Sequence, residues 1–466
     1  MQNIEINDSS FRDNCGFVFN YQGKLYRQVN VCFADEFDAY LRSGLHQELI
    51  NNNYLVNHDE QELEGYQPEQ LHKILAPEVI PYISYPYEWC FSQLKDAALL
   101  TLNIQLLALK YGFSLKDANA FNIQFYQGRP IFIDTLSFEQ YQQGTWVAYR
   151  QFCQHFLAPL VLKVHCDHRL GKLAELYIDG LPLDLTSRLL PKRTWLNFNI
   201  LSHIHLHAKV QNYYGNKPQK STTQLNDART MTKEKLQAML QGLKTFVQSL
   251  HWQGKNSEWG QYYQHTNYHS DAMKAKHQLI EHYLNRRVTK ANTIADIGAN
   301  TGRFSRLAGN YAEQVVAFDI DEVAVEFNYQ QICKDGESNI LPLVLDLFNP
   351  SASIGWANCE RSSFISRGSF DVVIALALIH HLAISNNTPL KHIIRLLHHI
   401  TQEQLIIEFV PKEDSQTKRL LATRKDVFPE YHKAGFEAAL KGYFKIDSRD
   451  DIPNSSRTLY CLTKVF

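Results

Sequence analysis

The chain has 466 residues, of which 44% are apolar and 20% charged, and a formal net charge of −1. That length exceeds one ordinary core, so two or three domains are expected, and the composition is that of a globular protein. Near-neutrality excludes a global basic field for nucleic acid or an anionic membrane and leaves only a local basic patch open.

The eight cysteines form no CxxC pair. That argues against a zinc ribbon, and scattered thiols suit a reducing cytosol. The first ten residues, MQNIEINDSS, are polar and acidic and do not read as a signal peptide. The longest apolar run, 372–379, is too short to cross a bilayer. The expectation is a cytoplasmic protein with no membrane span.

Two short strand-like runs open the chain, 17–21 and 24–29, joined by a turn at Gln22-Gly23. A helix is expected over 89–111. The stretch 114–138 then reads SLKDANAFNIQFYQGRPIFIDTLSF. It carries Asp117, Asn122 five residues later, a hairpin turning at Gln127-Gly128, and Asp134 at the end of a strand. Asp and Asn are also common turn formers, so a hairpin with incidental carboxylates is the bland reading.

The Asp-to-Asn spacing resembles the catalytic loop of protein kinases and aminoglycoside-type phosphotransferases, and Asp134 resembles their metal-binding aspartate. The resemblance implies a kinase-like α+β fold. It also implies ATP with Mg2+, Asp117 as the base that orients an acceptor hydroxyl, and Asn122 and Asp134 as metal ligands. Lys24 or Arg27 would take the place of the phosphate lysine. The sequence departs from the pattern: Lys116 precedes Asp117, Thr-Leu follows Asp134, and no glycine-rich phosphate loop is evident. An active phosphotransferase and a binding-only domain both stay open.

His203, His205 and His207 alternate in SHIHLHA. On a strand they would share one side and suit zinc or iron, but no carboxylate or cysteine pattern completes a site. His165, Cys166, Asp167 and His168 are adjacent rather than metal-spaced, and polar packing is the default for both groups. The polar stretch 211–230 reads as a linker between an N-terminal domain, 1–210, and a C-terminal domain, 231–466.

Beyond the linker, helices alternate with short Val/Ile/Leu runs, the pattern of a parallel sheet covered on both faces. A helix is expected from Ser270 to about 287, with Ala272, Met273, Leu279, Ile280, Tyr283 and Leu284 on one face. A buried strand over 293–297 turns through DIGANTG, which places Asp296, Gly298, Asn300 and Gly302 at a strand-to-helix turn. Spaced glycines there let a nucleotide approach the backbone. The next strand, 315–319, ends at Asp319, 17 positions after Gly302. An acidic group near that distance bonds ribose hydroxyls in dinucleotide sites. Strands follow at 341–345, ending before Asp346, from Phe370, at 405–409 with Glu408, and at 457–465. The motif alone leaves dinucleotide binding open, although a dehydrogenase would need GxGxxG.

Residues 260–466 resemble class I S-adenosylmethionine-dependent methyltransferases through this turn, Asp319, Asp346 and LIHHL. The resemblance implies a seven-stranded Rossmann-like fold. The turn Gly298 to Gly302 would pack against the methionine part of S-adenosylmethionine, Asp319 would bind its ribose and Asp346 its adenine edge. His380 and His381 follow the fourth strand, where substrate groups sit in this fold, and either would serve as a base, as would Glu408. The loop 349–361 reads either as part of a substrate pocket or as a solvated loop anchored by Trp356.

FIDTLSF, WVAYRQF, LALIHHLAI and IIEFVPK resemble two-part bacterial methyltransferases related to a nodulation protein. That likeness implies methyl transfer to a small-molecule or glycan acceptor. Two alternatives stand beside it: a bifunctional protein whose N-terminal half phosphorylates the acceptor, and a protein or RNA modifier whose N-terminal half binds the target. Net neutrality disfavours nucleic acid. Sequence leaves the oligomeric state open.

Overall fold

A computed structural model describes residues 4–209, 231–252, 254, 270–422 and 424–465. The stretch 211–230, expected as a linker, lies outside them. Contacts divide the chain into one unit of Met1–Gln253 with Ser353–Ser362 and another of Gly254–Ala352 with Ser363–Phe466.

The first unit opens with an antiparallel sheet of β1 (Ile4–Ile6), β2 (Gly16–Tyr21), β3 (Lys24–Asn30), β4 (His58–Gln61) and β5 (Leu71–Pro77), in the order β1-β2-β3-β5-β4. Gln22 and Gly23 both take positive φ, 50° and 76°, which matches the twist of a two-residue hairpin. Phe19 is fully buried and stacks on Tyr26 and Tyr66, closing this sheet over its own aromatic core. Helices Ala34–Arg42 and Leu45–Asn51 connect β3 to β4.

The helix expected over 89–111 spans Phe91–Lys110. Gln93 accepts from the Cys90 N–H at its start, and Gly112, at φ 80°, ends it. Its small and branched residues Ala97, Ala98, Leu102, Ile104 and Ala108 are fully buried, so it is a central rather than a surface helix. After it come β6 (Phe113–Leu115), β7 (Ile123–Tyr126), β8 (Arg129–Phe132) and β9 (Phe138–Gln140), paired β6 with β9 and β7 with β8. Gln127 and Gly128 repeat the positive-φ turn, at 50° and 76°. The helix Lys233–Ser249 packs on Phe91–Lys110 and is part of this unit, so the contact boundary falls later in the chain than the polar stretch.

SHIHLHA is not a strand. Leu201–Leu206 forms a wide helical turn because Asn197 caps the segment, bonding the N–H groups of Asn199 and Ile200. The alternating histidines therefore diverge. His203 bonds the Tyr149 hydroxyl at 2.6 Å, and buried His205 lies between Ser187 and Thr194 at 2.7 and 2.9 Å. No cluster of three or more His, Cys, Asp or Glu suited to a metal occurs among the described residues.

The second unit holds β10 (Ala291–Ile297), β11 (Ala312–Asp319), β12 (Ile340–Val344), β13 (Phe370–Ala375), β14 (Thr401–Phe409), β15 (Phe444–Asp451) and β16 (Thr458–Lys464). They form one seven-stranded sheet in the order β12-β11-β10-β13-β14-β16-β15. The first five in that order run parallel, and β16 is antiparallel to both β14 and β15. Consecutive strands step outward from β10 through β11 to β12, then reverse to β13, so the order switches at β10. Ligands bind outside the carboxyl ends of strands at such a point. The helix Ser270–Asn285 buries Ala272, Met273, Ile280, Tyr283 and Leu284 against the sheet, with Leu279 partly buried beside them, as its apolar period requires.

Candidate active site

At the carboxyl end of β10 the chain turns through Gly298, Asn300 and Gly302, with φ of 77°, 51° and 78°. Glycine tolerates that region freely, and asparagine does so better than most residues. The turn is tied to β11: the Gly298 and Ala299 N–H groups bond the Phe318 carbonyl at 2.8 and 2.9 Å. A Cβ on Gly302 would lie 2.3 Å from Asn328 Oδ1 and 2.7 Å from Arg306 Nη1. Arg306 in turn bonds the Thr301 and Gly302 carbonyls and Asn328, at 2.9, 3.1 and 3.0 Å, and so clamps the turn from behind.

Two carboxylates sit at this turn. Asp296, 2% exposed, accepts from Ser305 Oγ at 2.6 Å. Asp319, at the end of β11, accepts from the Asn300 N–H at 2.7 Å and the Asp321 N–H at 2.9 Å. Burial pushes each up to about 6. Asp319 therefore carries its full charge above that pH, and an ionised carboxylate is the stronger acceptor for vicinal hydroxyls. Asp346 follows β12, partly exposed, and accepts from the Phe348 N–H at 2.8 Å. The structure thus brings Asp296 of β10 and Asp319 of β11 together around the turn of Gly298, Asn300 and Gly302 and places Asp346 just beyond the adjoining strand β12.

The ends of β13 and β14 carry a second group of polar residues. Buried Glu408 accepts from Lys276 Nζ at 2.5 Å and from the Ala377 N–H at 2.8 Å. Its other oxygen faces Arg457 at 3.5 Å, and Arg457 pairs with Asp414 at 2.8 Å. Both Glu408 oxygens are engaged, so it fixes the strand ends rather than standing free as a base.

Lys276 and Arg457 escape a motif search. The signal for Lys276 is its place four residues from both Ala272 and Ile280: a cation on the apolar stripe requires a buried anion. His380 is wholly buried, and neither ring nitrogen has a hydrogen-bond partner among the described residues. Burial, then His381 and Arg457, hold it well below the usual histidine value and hence neutral. His381 is only partly buried, its ring 4.1 Å from that of His380, and it starts one π-type turn, His381–Ser385.

The loop 349–361 is not anchored by its tryptophan. Trp356 is 70% exposed. The anchors are Glu360, 3% exposed, which pairs with Arg12 at 2.5 Å, and Arg361, which lies 4.5 Å over the Phe121 ring. Both contacts lie within the first unit, to which Ser353–Ser362 belongs.

In the first unit, Asp117 lies against Asn122, Gln151 and Asp134, and burial followed by the Asp134 charge raises it. Asp134 Oδ1 accepts from Arg27 at 2.8 Å and from the Leu136 N–H at 3.1 Å, and Oδ2 accepts from Ser137 Oγ. Arg27 also pairs with Asp13 at 2.8 Å, whereas Lys24 is exposed. These residues do not fit magnesium and a nucleotide as they stand. The Arg27 guanidinium already supplies a positive charge 2.8 Å from Asp134, and the two-residue turn between β2 and β3 offers no loop to cover phosphates.

Residues 295–399 match the family model of a methyltransferase domain. Over 458 residues the chain is 37% identical to the nodulation protein NoeA of Rhizobium meliloti (strain 1021), covering 97% of this chain and 94% of that one. Among solved structures it is similar to the N-methyltransferase NodS from Bradyrhizobium japonicum WM9 in complex with S-adenosyl-L-homocysteine, with 12% identity, 45% of this chain, 100% of that chain and a TM-score of 0.32. It is also similar to the magnesium protoporphyrin IX methyltransferase ChlM from Synechocystis PCC 6803 with bound SAH, with 16% identity, 48% of this chain, 95% of that chain and a TM-score of 0.30.

Proposed function

Because this chain belongs to the NoeA family and is an S-adenosylmethionine-dependent methyltransferase, we propose that it methylates a small-molecule or glycan acceptor presented at the ends of β13 and β14. The observation that carries this reading is the placement of Asp319 and the positive-φ turn Gly298 to Gly302 at the switch in strand order. The acceptor class follows the relation to a nodulation protein, and near-neutral charge disfavours nucleic acid.

The bound donor supplies a methyl group on a sulfonium, a good leaving group that asks the protein mainly for position. In this reading the turn Gly298 to Gly302 cradles the methionine part, Asp319 accepts from the ribose hydroxyls and Asp346 from the adenine edge. Asp296 braces the turn through Ser305. Glu408, held by Lys276, Arg457 and the Ala377 N–H, fixes the strand ends under the acceptor.

A base must touch the acceptor, and His380 is wholly enclosed. His381, which is partly exposed, is therefore the proton acceptor in this reading, and His380 positions its ring from beneath. His381→Ala is expected to lower kcat about a hundredfold with donor affinity unchanged. The check is methyl transfer from labelled donor to a cell extract, read by mass spectrometry, beside calorimetric donor binding. Unchanged turnover would remove His381 from the chemistry.

The kinase-like reading of the first unit draws support from its order of elements: a five-stranded antiparallel sheet, a long helix, then Asp117, Asn122, a hairpin and Asp134 close together. Because Arg27 and Ser137 already engage Asp134, we take this unit as binding rather than phosphorylating.

A further inference from the structure

The first unit carries a surface that contrasts with the near-neutral net charge of the chain. From 188 to 209 the sequence holds no carboxylate at all. The exposed cations there are Arg188, Lys192, Arg193 and Lys209. The other exposed residues of the stretch are all apolar: Leu189, Trp195, Leu196, Phe198 and Leu206. Leu196 is 91% exposed and Phe198 78%, far beyond what a side chain able to pack inward would retain.

This surface is held by a built support. Helix Leu183–Leu189, the tight turn Lys192–Leu196 and the segment Leu201–Leu206 pack together. Buried His205 joins all three, bonding Ser187 at 2.7 Å and Thr194 at 2.9 Å. Trp195 stacks on His205, with ring centroids 4.3 Å apart, and Lys209 Nζ lies 4.6 Å over the same indole. The indole is thus already engaged and is not a free platform for a nucleic-acid base. Along the chain the nearest carboxylate is Asp184, paired with Arg188 at 3.6 Å; across the fold Asp167 follows Cys166, whose Sγ bonds the Leu189 carbonyl at 3.4 Å, and Asp167 is paired with Arg169 at 2.6 Å.

Large apolar side chains beside lysine and arginine, with a tryptophan among them and the bordering acids Asp184 and Asp167 each ion-paired, are what a monotopic surface presents to the headgroup region of a bilayer. We propose that this face docks on an anionic lipid bilayer, inserting Leu196 and Phe198 among the acyl chains while Lys192, Arg193 and Lys209 meet the headgroup charges. A second copy of the chain fits less well, because two such faces would bring four cations against four. Docking there gives the enzyme access to acceptors carried on lipid.

The test is co-sedimentation of the full chain with vesicles of phosphatidylcholine alone and of phosphatidylcholine with phosphatidylglycerol, at low and high salt. Binding is expected only to the anionic vesicles and to weaken with salt. Leu196→Ser with Phe198→Ser is expected to reduce it about tenfold per residue. Lys192→Gln with Arg193→Gln should reduce it about fivefold per charge. Val288→Ser, at an equally exposed position of the second unit, should leave it unchanged. The proposal is overturned if anionic vesicles bind no protein or if the paired substitutions bind as well as the wild type. It is also overturned if the same residues instead drive lipid-free self-association.

Discussion

Glu408→Ala is expected to destabilise the second unit by about 3–5 kcal/mol, because truncating one partner of a buried ion pair removes the attraction that offsets the burial of the other charge. Glu408 is fully buried and Lys276 is 3% exposed, so solvent screens the pair little in the folded protein. The substitution removes the carboxylate that Lys276 Nζ meets at 2.5 Å, takes an acceptor from the Ala377 N–H and takes one of two carboxylates, Glu408 and Asp414, from Arg457. Urea unfolding followed by tryptophan-independent far-UV dichroism gives the magnitude. Lys276→Met combined with Glu408→Leu should recover much of the loss, since a well-packed apolar pair replaces an ion pair at little cost. A single Glu408→Ala change that left stability intact would mean the pair is not buried as described.

Gly302→Val is expected to remove measurable donor binding and to cost about 3–4 kcal/mol of stability. The residue holds φ at 78°, a region costly for any L residue and worst for a β-branched one. Its Cβ would also fall 2.3 Å from Asn328 Oδ1, and Asn328 is 1% exposed, so that side chain has little room to yield. Displacing it breaks the hold of Arg306 on the turn. The comparison variant is Gly336→Val, likewise at positive φ, at 67°, but with open space around its Cβ and ending the helix Glu322–Asp335. It should show the backbone cost alone and keep donor binding. Equal donor affinity in both variants would contradict the placement of the donor over Gly302.

The parts of this molecule that were legible in the sequence are those with local signals. The turn at Gln22-Gly23 and the one at Gln127-Gly128 need only two residues that accept positive φ. The strands β10, β11 and β13 are short apolar runs, and the carboxyl ends of β10 and β11 are marked by glycine or aspartate. The edge strand β15 gives no such signal. Its sequence is FKIDSRDD, and most of it is exposed, because an edge strand with one solvated side is kept charged against aggregation.

Long-range pairings are equally silent. Lys276 and Glu408 are 132 residues apart, and only folding makes them partners. Ser353–Ser362 reads as a polar loop of its own half, yet Ile354, Glu360 and Arg361 are spent on Tyr85, Tyr87, Phe121 and Arg12 in the other unit to which the segment belongs. The alternating histidines mislead for a related reason. Period two suggests a strand, but the Asn197 cap and the surrounding helices decide the backbone, and the imidazoles are used one by one as hydrogen-bonding fillers.

The central claim is that a nucleoside donor is held at the carboxyl ends of β10 and β11 with Asp319 on its ribose. Calorimetric titration of the full chain with S-adenosyl-L-homocysteine, wild type beside Asp319→Ala, tests it most directly. The account predicts one site in the wild type, with affinity falling as the pH is lowered through about 6, where Asp319 takes up its proton. It predicts affinity weaker by about a hundredfold in Asp319→Ala, the loss of two charge-assisted hydrogen bonds. Equal affinity in the two proteins, or no binding by the wild type at neutral pH, would contradict it.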